Sequence, residues 1–414
     1  MRCQDKGETV KGDTYIARSS DDGILKRAEN GGVVTSLLKF ALETKRVDAV
    51  VAVKARDDSR YDGIPVLISD PEEVITTAGS LHCVTVNIPR YIKEYLDGAF
   101  DTKLAVVGKP CDIRGIIELV KREQIKLDNL FLIGLNCSGT LLPTVAKKTI
   151  VEEFGADPLD VVGEDIEDDK LIIRLKDGTE KTKGLAELEG EGYGRRENCR
   201  RCEVKIPTMA DIACGKWGVP NNKKATFVEV CSDKGDELFQ EAIKAGCINV
   251  EPADDKAIEE RKKKEQEAID SALRWQEADF APLRDMTIEE KFDYWWKQFG
   301  QCIKCYGCRD ACPICYCKDC ILEADRGVVM PGEVPPNAMF PVLRTAHVMD
   351  SCVNCGQCQD VCPAGIPLAR LIFMLNKKLS DVFKYQPGMN VESLPPLRSV
   401  TDRELTMPGV ELTL

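Results

Sequence analysis

The sequence predicts a mixed α/β domain over roughly the first 250 residues, followed by a small cysteine-rich domain. Three observations support this prediction. Apolar strand-like runs alternate with amphipathic segments in the first part of the chain. One pair of runs has the signature of a β-hairpin, which argues against a purely doubly wound sheet. Finally, 11 of the 20 cysteines lie between Gln301 and Leu371.

The strand-like runs of the first domain are short and apolar, and we predict that they are buried strands. They are Asp48–Val53, Lys103–Gly108, Asn129–Leu135 and Thr226–Cys231. Helical periodicity predicts helices over Asp112–Glu123 and Leu141–Phe154. The hairpin is predicted over Leu171–Lys183, where Asp177-Gly178 separates two strand-like arms.

We predict a helical connector over residues 253–298. Ala253–Ala281 has no Gly or Pro and is dense in Lys and Glu, which predicts a solvent-exposed helix without chemistry. Thr287 to Glu290 fits a capping box that opens a second helix. We interpret the aromatic residues of that helix as core packing against the next domain rather than as a ligand-stacking surface; they are Phe292, Trp295, Trp296 and Phe299.

Two runs in the next segment, residues 299–375, match the bacterial ferredoxin spacing C-x2-C-x2-C-x3-C-P. In proteins with this spacing, the fourth Cys of each run ligates the other cluster. The sequence therefore predicts two [4Fe–4S] clusters. One ligand set is Cys302, Cys305, Cys308 and Cys362, and the other is Cys352, Cys355, Cys358 and Cys312.

Three further cysteines, Cys315, Cys317 and Cys320, do not fit this pattern. They are either ligands of an additional cluster with a remote fourth residue or buried thiols.

Another cysteine group lies in the first domain. Cys111 and Cys137 each follow a predicted strand, and α/β proteins build their sites at the carboxyl ends of strands. Cys199 and Cys202 form a CxxC pair, which favours metal binding. These four cysteines could hold one cluster, with Cys214 as the rival for the fourth position.

Two glycine motifs open amphipathic or apolar stretches in the first domain. Gly31-Gly32 leads into a stretch that includes Thr35, and Gly79-Ser80 is a shorter example. Gly at a helix start lets the backbone approach a phosphate, although helix capping alone would also explain it. No G-x-G-x-x-G with a downstream acidic residue is present, which disfavours a nicotinamide site.

The composition excludes several classes of protein. A net charge of −12 argues against a general nucleic-acid binder. No run is long and apolar enough for a membrane span, and the start has no secretory signal. We therefore expect a cytoplasmic protein with reduced cysteines. His82 follows Gly79-Ser80 and could line a cofactor site, but we interpret both histidines, His82 and His347, as structural rather than catalytic.

Together these motifs resemble the beta-subunit family of the coenzyme F420-dependent hydrogenases and dehydrogenases. The motifs are Asn30–Leu38, Ala78–Ser80, Gly108–Gly115, Gly134–Gly139 and Glu197–Gly218. The resemblance implies that residues 1–252 hold FAD and one [4Fe–4S] cluster and exchange hydride with coenzyme F420. The FAD contacts it implies are Gly31, Gly32, Thr35, Gly79, Ser80, Lys109 and Asp112, with no catalytic side chain. The basic group around Arg195–Lys205 would face the acidic tail of F420 or tune the cluster.

The cysteine-rich extension looks like that of the formate dehydrogenase branch of the family. This implies a separate alpha subunit with a Mo/W pterin, from which electrons pass through the clusters to FAD and on to F420. A larger complex with heterodisulfide reductase is a further expectation. The alternatives are a hydrogenase or sulfur-reducing donor, or a non-catalytic polyferredoxin-like electron wire.

The sequence also predicts an irregular tail over residues 376–414. Because the two cysteine-bearing halves share no proposed ligand, we expect a first domain cut near Pro252 to retain FAD by itself.

Overall fold

The larger domain is built around a mixed eight-stranded sheet, as seen in a computed structural model that describes residues 12–56, 59–317, 320–323, 326 and 339–398. A separate sheet has three strands. The strands of both sheets are β1 Thr14–Ser19, β2 Ala49–Arg56, β3 Ser59–Ile68, β4 Leu104–Gly108, β5 Leu130–Leu135, β6 Val161–Glu167, β7 Lys170–Leu175, β8 Glu180–Gly184, β9 Ile212–Gly215, β10 Thr226–Val230 and β11 Ile248–Pro252.

The helices of the first domain lie between these strands, and those of the connector and the cysteine-rich domain follow them. They are α1 Asp22–Arg27, α2 Val33–Glu43, α3 Ile88–Tyr95, α4 Pro110–Val120, α5 Pro143–Glu152, α6 Leu185–Gly190, α7 Glu197–Arg200, α8 Asp233–Lys244, α9 Asp255–Arg284, α10 Ile288–Phe299, α11 Gly307–Asp310, α12 Met339–Ala346, α13 Gln357–Asp360 and α14 Leu368–Phe383.

The large sheet has the order β11-β1-β10-β9-β5-β4-β2-β3. Its four neighbouring strands β9, β5, β4 and β2 are parallel, and the outer strands pair antiparallel. Helices α2 and α8 cover one face, and α3 and α4 cover the other. Central strands covered on both faces must be apolar throughout, which explains why β4 and β5 are continuous hydrophobic runs.

The four predicted buried strands are confirmed as β2, β4, β5 and β10, and the two predicted helices as α4 and α5. The predicted hairpin is formed by β7 and β8, with Gly178 at φ +85° in the turn. The antiparallel pairs confirm that the sheet is mixed rather than doubly wound. Local periodicity was sufficient for these elements because each buries a continuous apolar run.

The connector helix α9 has 30 residues and is largely exposed, as predicted. It nevertheless packs on the segment around the CxxC pair. Gln276 donates to the Arg201 carbonyl at 2.8 Å, and Asp279 pairs with the Arg201 guanidinium. Arg200 lies over the ring of Trp275, 4.3 Å from its centroid. The helix therefore supports a cysteine loop as well as linking two domains.

The capping box at the start of α10 is confirmed, with Thr287 and Glu290 bonding each other's backbone. Phe299 is buried, and Trp295 packs beside it against the cysteine-rich domain. The core prediction is wrong for Phe292 and Trp296, which are 61% and 53% exposed. These two rings stack on each other at 5.5 Å because the helix packs against the domain along one side only.

The last described segment is ordered and covers the first domain. Helix α14 continues to Phe383, past the predicted start of the tail at residue 376. Residues after it return to α4, where Glu118 is fully buried. The Glu118 carboxylate accepts hydrogen bonds from Tyr385 OH at 2.5 Å, the Gly388 N–H at 2.7 Å and Lys121 Nζ at 2.9 Å.

A second buried contact lies beside it. Arg114 donates to the Pro387 carbonyl at 2.7 Å and to the Val353 carbonyl at 3.1 Å. A chain cut near Pro252 would keep the ion pairs of Glu118 with Lys121 and Arg122 but would lose its bonds to Tyr385 and Gly388. Arg114 would lose both carbonyl acceptors, and a buried charge that loses its partners is destabilising. The structure therefore argues against the separable first domain predicted from the sequence.

We expect Tyr385→Phe to destabilise the whole protein, because Glu118 loses a buried hydrogen bond while the ring still fills its space. The loss should be about 1–3 kcal/mol, measured as a lower midpoint of urea denaturation. Tyr95→Phe is the matched control, since Tyr95 is 73% exposed. Equal midpoints for the two variants would show that the tail contact adds nothing to stability.

Candidate functional site

A cavity of about 260 Å³ opens at the carboxyl edge of the parallel strands. The residues that follow β4, β5 and β9 line it, together with the start of α2 and the segment around Gly79. Of the predicted FAD contacts, six lie in its wall: Gly32, Thr35, Gly79, Ser80, Lys109 and Asp112. The seventh, Gly31, does not lie among the lining residues.

Two helix N-termini meet at this cavity. Helix α2 has no side-chain cap and no acidic residue in its first turn, so its first N–H groups are free to bind an anion. Helix α4 begins directly after Lys109. The free N–H groups and the positive dipole end of α2 favour a phosphate group here, whereas the Asp112 carboxylate already caps the start of α4 by accepting from the Lys109 N–H.

Lys109 adds a positive charge to the same wall. Its Nζ lies 3.0 Å from Asp112 Oδ2. Burial would lower the pKa of Lys109, but Asp112 and the nearby thiols outweigh burial and raise the pKa above its ordinary value. Lys109 is therefore charged at neutral pH.

Other residues of the wall suit an aromatic ring. Leu38, Val53 and Trp217 provide apolar surface. Asn136 Oδ1 is buried and has no hydrogen-bond partner within the described residues, so it is available to a ring N–H of a ligand. An anion-binding end and an apolar end with a free acceptor together fit a nucleotide cofactor that carries a ring.

The two glycines before α2 have packing roles that the sequence did not reveal. A Cβ on Gly31 would lie 2.5 Å from the Ala17 carbonyl and 2.6 Å from the Thr226 amide, so the residue is required by strand packing. Gly32 has φ +71°, and a Cβ there would lie 2.8 Å from Ile24 Cγ2. A bulky residue at position 32 would therefore destabilise the fold, and loss of cofactor in such a variant would not identify a cofactor contact.

The four first-domain cysteines come together next to the cavity. Cys137 lines the cavity itself. Burial raises the pKa of Cys137 to about 11, and the neighbouring thiols of Cys199 and Cys202 contribute to the increase. The pKa of Cys111 is also raised above its ordinary value. Burial is the largest cause, and the thiols of Cys355 and Cys137 contribute to the increase. Thiolates in such a dry, mutually repelling group are stabilised by a metal centre, which removes the proton.

Cys214 does not join this group. It lies on β9 within the sheet core, and burial alone raises its pKa to about 12, without any contribution from another cysteine. The arrangement favours Cys111, Cys137, Cys199 and Cys202 over the rival that includes Cys214.

The cysteine-rich domain brings the crossed sets together as the ferredoxin spacing predicts. Cys362 shares a small cavity with Cys302, Cys305 and Cys308. Cys312 packs with Cys352, Cys355 and Cys358.

The two loops of this domain also repeat each other. The Lys304 and Asn354 N–H groups each lie 3.4 Å from a Cys sulfur, that of Cys302 and Cys352 respectively. Such N–H···S contacts tune the potential of an iron–sulfur cluster.

The spacing of the sulfur atoms argues against zinc. A tetrahedral zinc site with Zn–S bonds near 2.3 Å needs sulfurs about 3.8 Å apart. In the part of the chain that the structure describes, no three Cys sulfurs lie within 4.8 Å of one another; the only group that meets this limit is Glu29, His82 and Asp165. Any three of the described cysteine sulfurs therefore include at least one pair more than 4.8 Å apart.

Arg196 connects two of the cysteine groups. Its guanidinium donates to Asp360 at 2.7 Å and to the Cys355 carbonyl at 2.8 Å, and it lies 3.7 Å from Cys199 Sγ. Asn198 donates to the Asn354 carbonyl at 3.2 Å nearby. The CxxC loop of the first domain therefore packs directly against the second cysteine loop of the other domain.

The basic group does not form an open surface for an acidic ligand. Arg195, Arg196, Arg201 and Lys205 are all buried. Arg195 pairs with Glu189, and Arg201 pairs with Glu197 and Asp279. Of the two roles predicted for this group, the geometry favours tuning and positioning of the cluster over contact with the acidic tail of F420.

Cys315, Cys317 and Cys320 lie close enough for Cys317 and Cys320 to influence the pKa of Cys315. Cys320 is buried and Cys317 is exposed. The interval between them includes residues outside the described part of the chain, so the choice between a further cluster and free thiols stays a prediction.

His82 and Glu29 are site residues that sequence reasoning undervalued. Both line the cavity, and His82 Nε2 lies 3.1 and 3.2 Å from the Glu29 carboxylate oxygens. Glu29 directly precedes the glycine motif, but its partner is 53 positions away, so no local pattern indicates the pair. His347, in contrast, is exposed and outside the cavity.

The chain matches two families, one of them in two parts. Residues 14–93 and 101–256 match the N-terminal and C-terminal parts of "Coenzyme F420 hydrogenase/dehydrogenase, beta subunit". Residues 298–366 match a 4Fe-4S dicluster domain. These matches cover both cysteine-bearing parts of the chain and the cavity between the sheet and its helices.

Two relatives are similar along almost the whole chain. The F420-dependent formate dehydrogenase subunit beta of Methanocaldococcus jannaschii is 46% identical, over 93% of this chain and 98% of the relative. The F420-dependent formate dehydrogenase 1 subunit beta of Methanococcus maripaludis is 44% identical, over 94% of this chain and 98% of the relative. The coenzyme F420 hydrogenase subunit beta of Methanococcus voltae is 28% identical, over 58% of this chain and 84% of the relative.

Among solved structures, a chain of the F420-reducing [NiFe] hydrogenase complex from Methanosarcina barkeri has a similar fold. The TM-score is 0.57 at 21% identity, over 65% of this chain and 92% of that chain. At this identity the likeness concerns the fold alone.

The three cysteine sets predict the iron content. Three clusters of four irons give about 12 iron atoms per chain, measured against protein by quantitative amino-acid analysis and a colorimetric iron assay. An iron content near 8 atoms per chain would show that the first-domain set holds no cluster, and Cys199→Ala would then leave the iron content unchanged. A value near 16 would instead make Cys315, Cys317 and Cys320 ligands.

Proposed function

The chain belongs to the coenzyme F420 hydrogenase/dehydrogenase beta-subunit family, and from that premise we propose that it is the electron-transfer subunit of an F420-dependent formate dehydrogenase. As an oxidoreductase subunit, it would carry electrons from formate, oxidised at the Mo/W pterin of a partner alpha subunit, to coenzyme F420. Both relatives that match along almost the whole chain have this named activity.

The single observation that best supports the proposal is the order in which the cysteine groups lie. The set with Cys302 shares a core with Cys358 of the second set. The second set meets the first-domain set at Arg196, which donates to the Cys355 carbonyl at 2.8 Å and lies 3.7 Å from Cys199 Sγ. Cys137 of the first-domain set then lines the cavity. The three groups form one uninterrupted series that ends at a cofactor-sized site.

The series also has a direction. Cys305, in the set most distant from the cavity along this order, is exposed. The ligands of the other end, Cys111 and Cys137, are only half-exposed. An exposed cluster is suited to exchange electrons with a separate protein, so we assign the partner subunit to the side of Cys305.

We assign the cavity to FAD. Its pyrophosphate would lie at the N-terminus of α2 with Lys109, and its ring near Asn136 and the apolar wall. When bound, FAD supplies the conversion between single electrons, which clusters carry, and the hydride that a deazaflavin accepts. The residues of this chain would hold FAD, exclude water from one side of it and provide the positive charge of Lys109 near its phosphates.

A hydrogenase partner is less well supported than a formate dehydrogenase partner. The hydrogenase relative is 28% identical over 58% of the chain, whereas the formate dehydrogenase relatives match 93% and 94% of it. A non-catalytic electron wire is disfavoured by the preserved cavity with its uncapped helix and free Asn136 acceptor. No helix in the described residues could cross a membrane. The cytoplasmic location and a complex with heterodisulfide reductase stay predictions.

Lys109→Met should reduce FAD content, because the phosphate loses a cation while the side-chain volume is kept. The FAD released on denaturation is measured per chain by its absorbance. The variant also leaves Asp112 without its ion pair. The control is therefore Lys109→Met with Asp112→Asn, in which no buried charge is left alone.

We expect low FAD in both variants and a normal melting temperature in the double variant. Full FAD occupancy in the double variant would show that Lys109 does not hold the cofactor.

Cys305→Ala should abolish formate-dependent F420 reduction in the complex with the partner subunit, since it removes a ligand of the proposed entry cluster. F420 reduction with an artificial dye, which can donate directly to the inner cofactors, should remain. The two activities are measured on the same preparation by the loss of F420 absorbance.

Cys247→Ala is the matched control, because Cys247 lies in the first domain outside the three sets. If Cys305→Ala couples formate to F420 at the normal rate, the cysteine-rich domain is not on the electron path and the proposed function is wrong.

A further inference from the structure

We propose that His82, in the wall of the cavity assigned to FAD, is the proton donor for reduction of the deazaflavin, and that Glu29 positions it. The inference rests on the proposed function, because it assigns a step of the same reaction to named side chains. The two residues lie in the cavity wall with Lys109 and Cys137. They belong to different segments, so the fold itself creates the pair.

The geometry leaves one ring nitrogen of His82 available. Nε2 is held by Glu29, at 3.1 and 3.2 Å from its two carboxylate oxygens. Nδ1 makes no hydrogen bond to any described residue, and the side chain is 25% exposed in a residue that lines the cavity. A carboxylate that holds one nitrogen of an imidazole fixes the ring and leaves the other N–H for a ligand.

The backbone of the His82 segment is also held. Thr140 Oγ1 donates to the His82 carbonyl at 2.7 Å. Arg60 donates to the Ser80 carbonyl at 2.8 Å. A ring that must deliver a proton in one direction needs such fixed placement.

Other charged groups around His82 are already paired. Asp165 and Glu167 both bind Lys216, at 2.5 and 2.7 Å. Glu164 binds Arg60 at 2.8 Å. Glu29 is therefore the carboxylate that stabilises the imidazolium, with Asp165 and Glu164 as weaker contributors.

The same pairing argues against a metal ion at this cluster. Glu29, His82 and Asp165 lie close enough to share one, but the Lys216 ammonium occupies Asp165. A cation already bound to a carboxylate opposes a second cation at the same oxygen.

The protonation states suit the role. Burial alone would lower the pKa of His82, but the Glu29 carboxylate outweighs burial and raises the pKa above its ordinary value. Burial opposes ionisation of Glu29, yet His82 lowers its pKa to about 2. His82 is thus protonated below its raised pKa and loses the proton as the pH rises through it.

The step balances in atoms and charge. Reduction of the deazaflavin forms a C–H bond with the incoming hydride and moves a ring electron pair onto a ring nitrogen. The Nδ1–H bond of His82 breaks, and its proton forms the N–H bond at that nitrogen. Neutral His82 then takes a proton from water at the cavity mouth. In the reverse direction, His82 accepts the proton.

The test is His82→Ala in the full complex, with a reduced dye as electron donor and F420 as acceptor. We expect the rate to fall on the order of 100- to 10,000-fold, as for loss of a general acid. Added imidazole should restore part of the rate, since it can enter the space left by the side chain. His347→Ala is the control and should keep the normal rate without a response to imidazole.

A second readout does not depend on activity. The chain has two histidines, so labelled imidazoles give two sets of NMR signals, assigned with His347→Ala. We expect the pKa of His82 to lie above about 6.5 and to fall in Glu29→Gln. The pH at which the rate of F420 reduction declines should fall with it. A pKa of His82 that does not respond to Glu29→Gln would overturn the positioning role.

The outcomes separate this inference from the proposed function. If the wild-type complex does not reduce F420 with either formate or dye, the proposed function fails. If the wild type reduces F420 and His82→Ala does so at the normal rate, only the proton-donor role fails. Loss of rate with normal FAD content but no rescue by imidazole would also overturn it, because a structural defect would then explain the loss.

Discussion

The buried guanidinium of Arg196 holds together the two parts of the chain on which electron transfer would depend. It pairs with Asp360, donates to the Cys355 carbonyl and lies beside Cys199 Sγ. Burying an arginine costs several kcal/mol unless its donors are satisfied, and here three groups from two domains satisfy them. Misplacement of either domain would leave that charge unpaired. The cost of misplacement therefore fixes the distance between neighbouring cysteine groups.

The cavity collects charged groups of both signs because of how the sheet is built. The uncapped N-terminus of α2 and Lys109 contribute positive charge, and Asp112 pairs with Lys109 and caps the start of α4. Glu29, which shortly precedes α2, holds His82 in the same wall, near the Lys216 and Asp165 pair. A phosphate and a redox ring would therefore meet different partners within one cavity. Parallel strands create this arrangement because all their carboxyl ends meet at one edge.

Much of the fold and of the metal chemistry was predictable from the sequence, since both depend on local patterns. Apolar runs identify the buried strands, and the spacing of Cys302 to Cys312 and of Cys352 to Cys362 indicates the crossed cluster sets. The rest depends on contacts between distant residues. The Glu29–His82 pair, the buried Glu118 with Tyr385, and the packing of α9 on Arg201 have no signature within any short window. Gly31 resembled a phosphate-binding residue because strand packing and ligand approach both demand the same small residue.

The return of the chain from α14 onto α4 has a consequence for how the protein is made. Glu118 needs the hydroxyl of Tyr385 and the amide of Gly388, which follow it by 267 and 270 positions. Chains emerge from the ribosome at about 5–20 residues per second, so α4 waits for these partners for roughly ten seconds or more. The packing around Glu118 is therefore completed only near the end of synthesis, after both cysteine-bearing parts of the chain have been made.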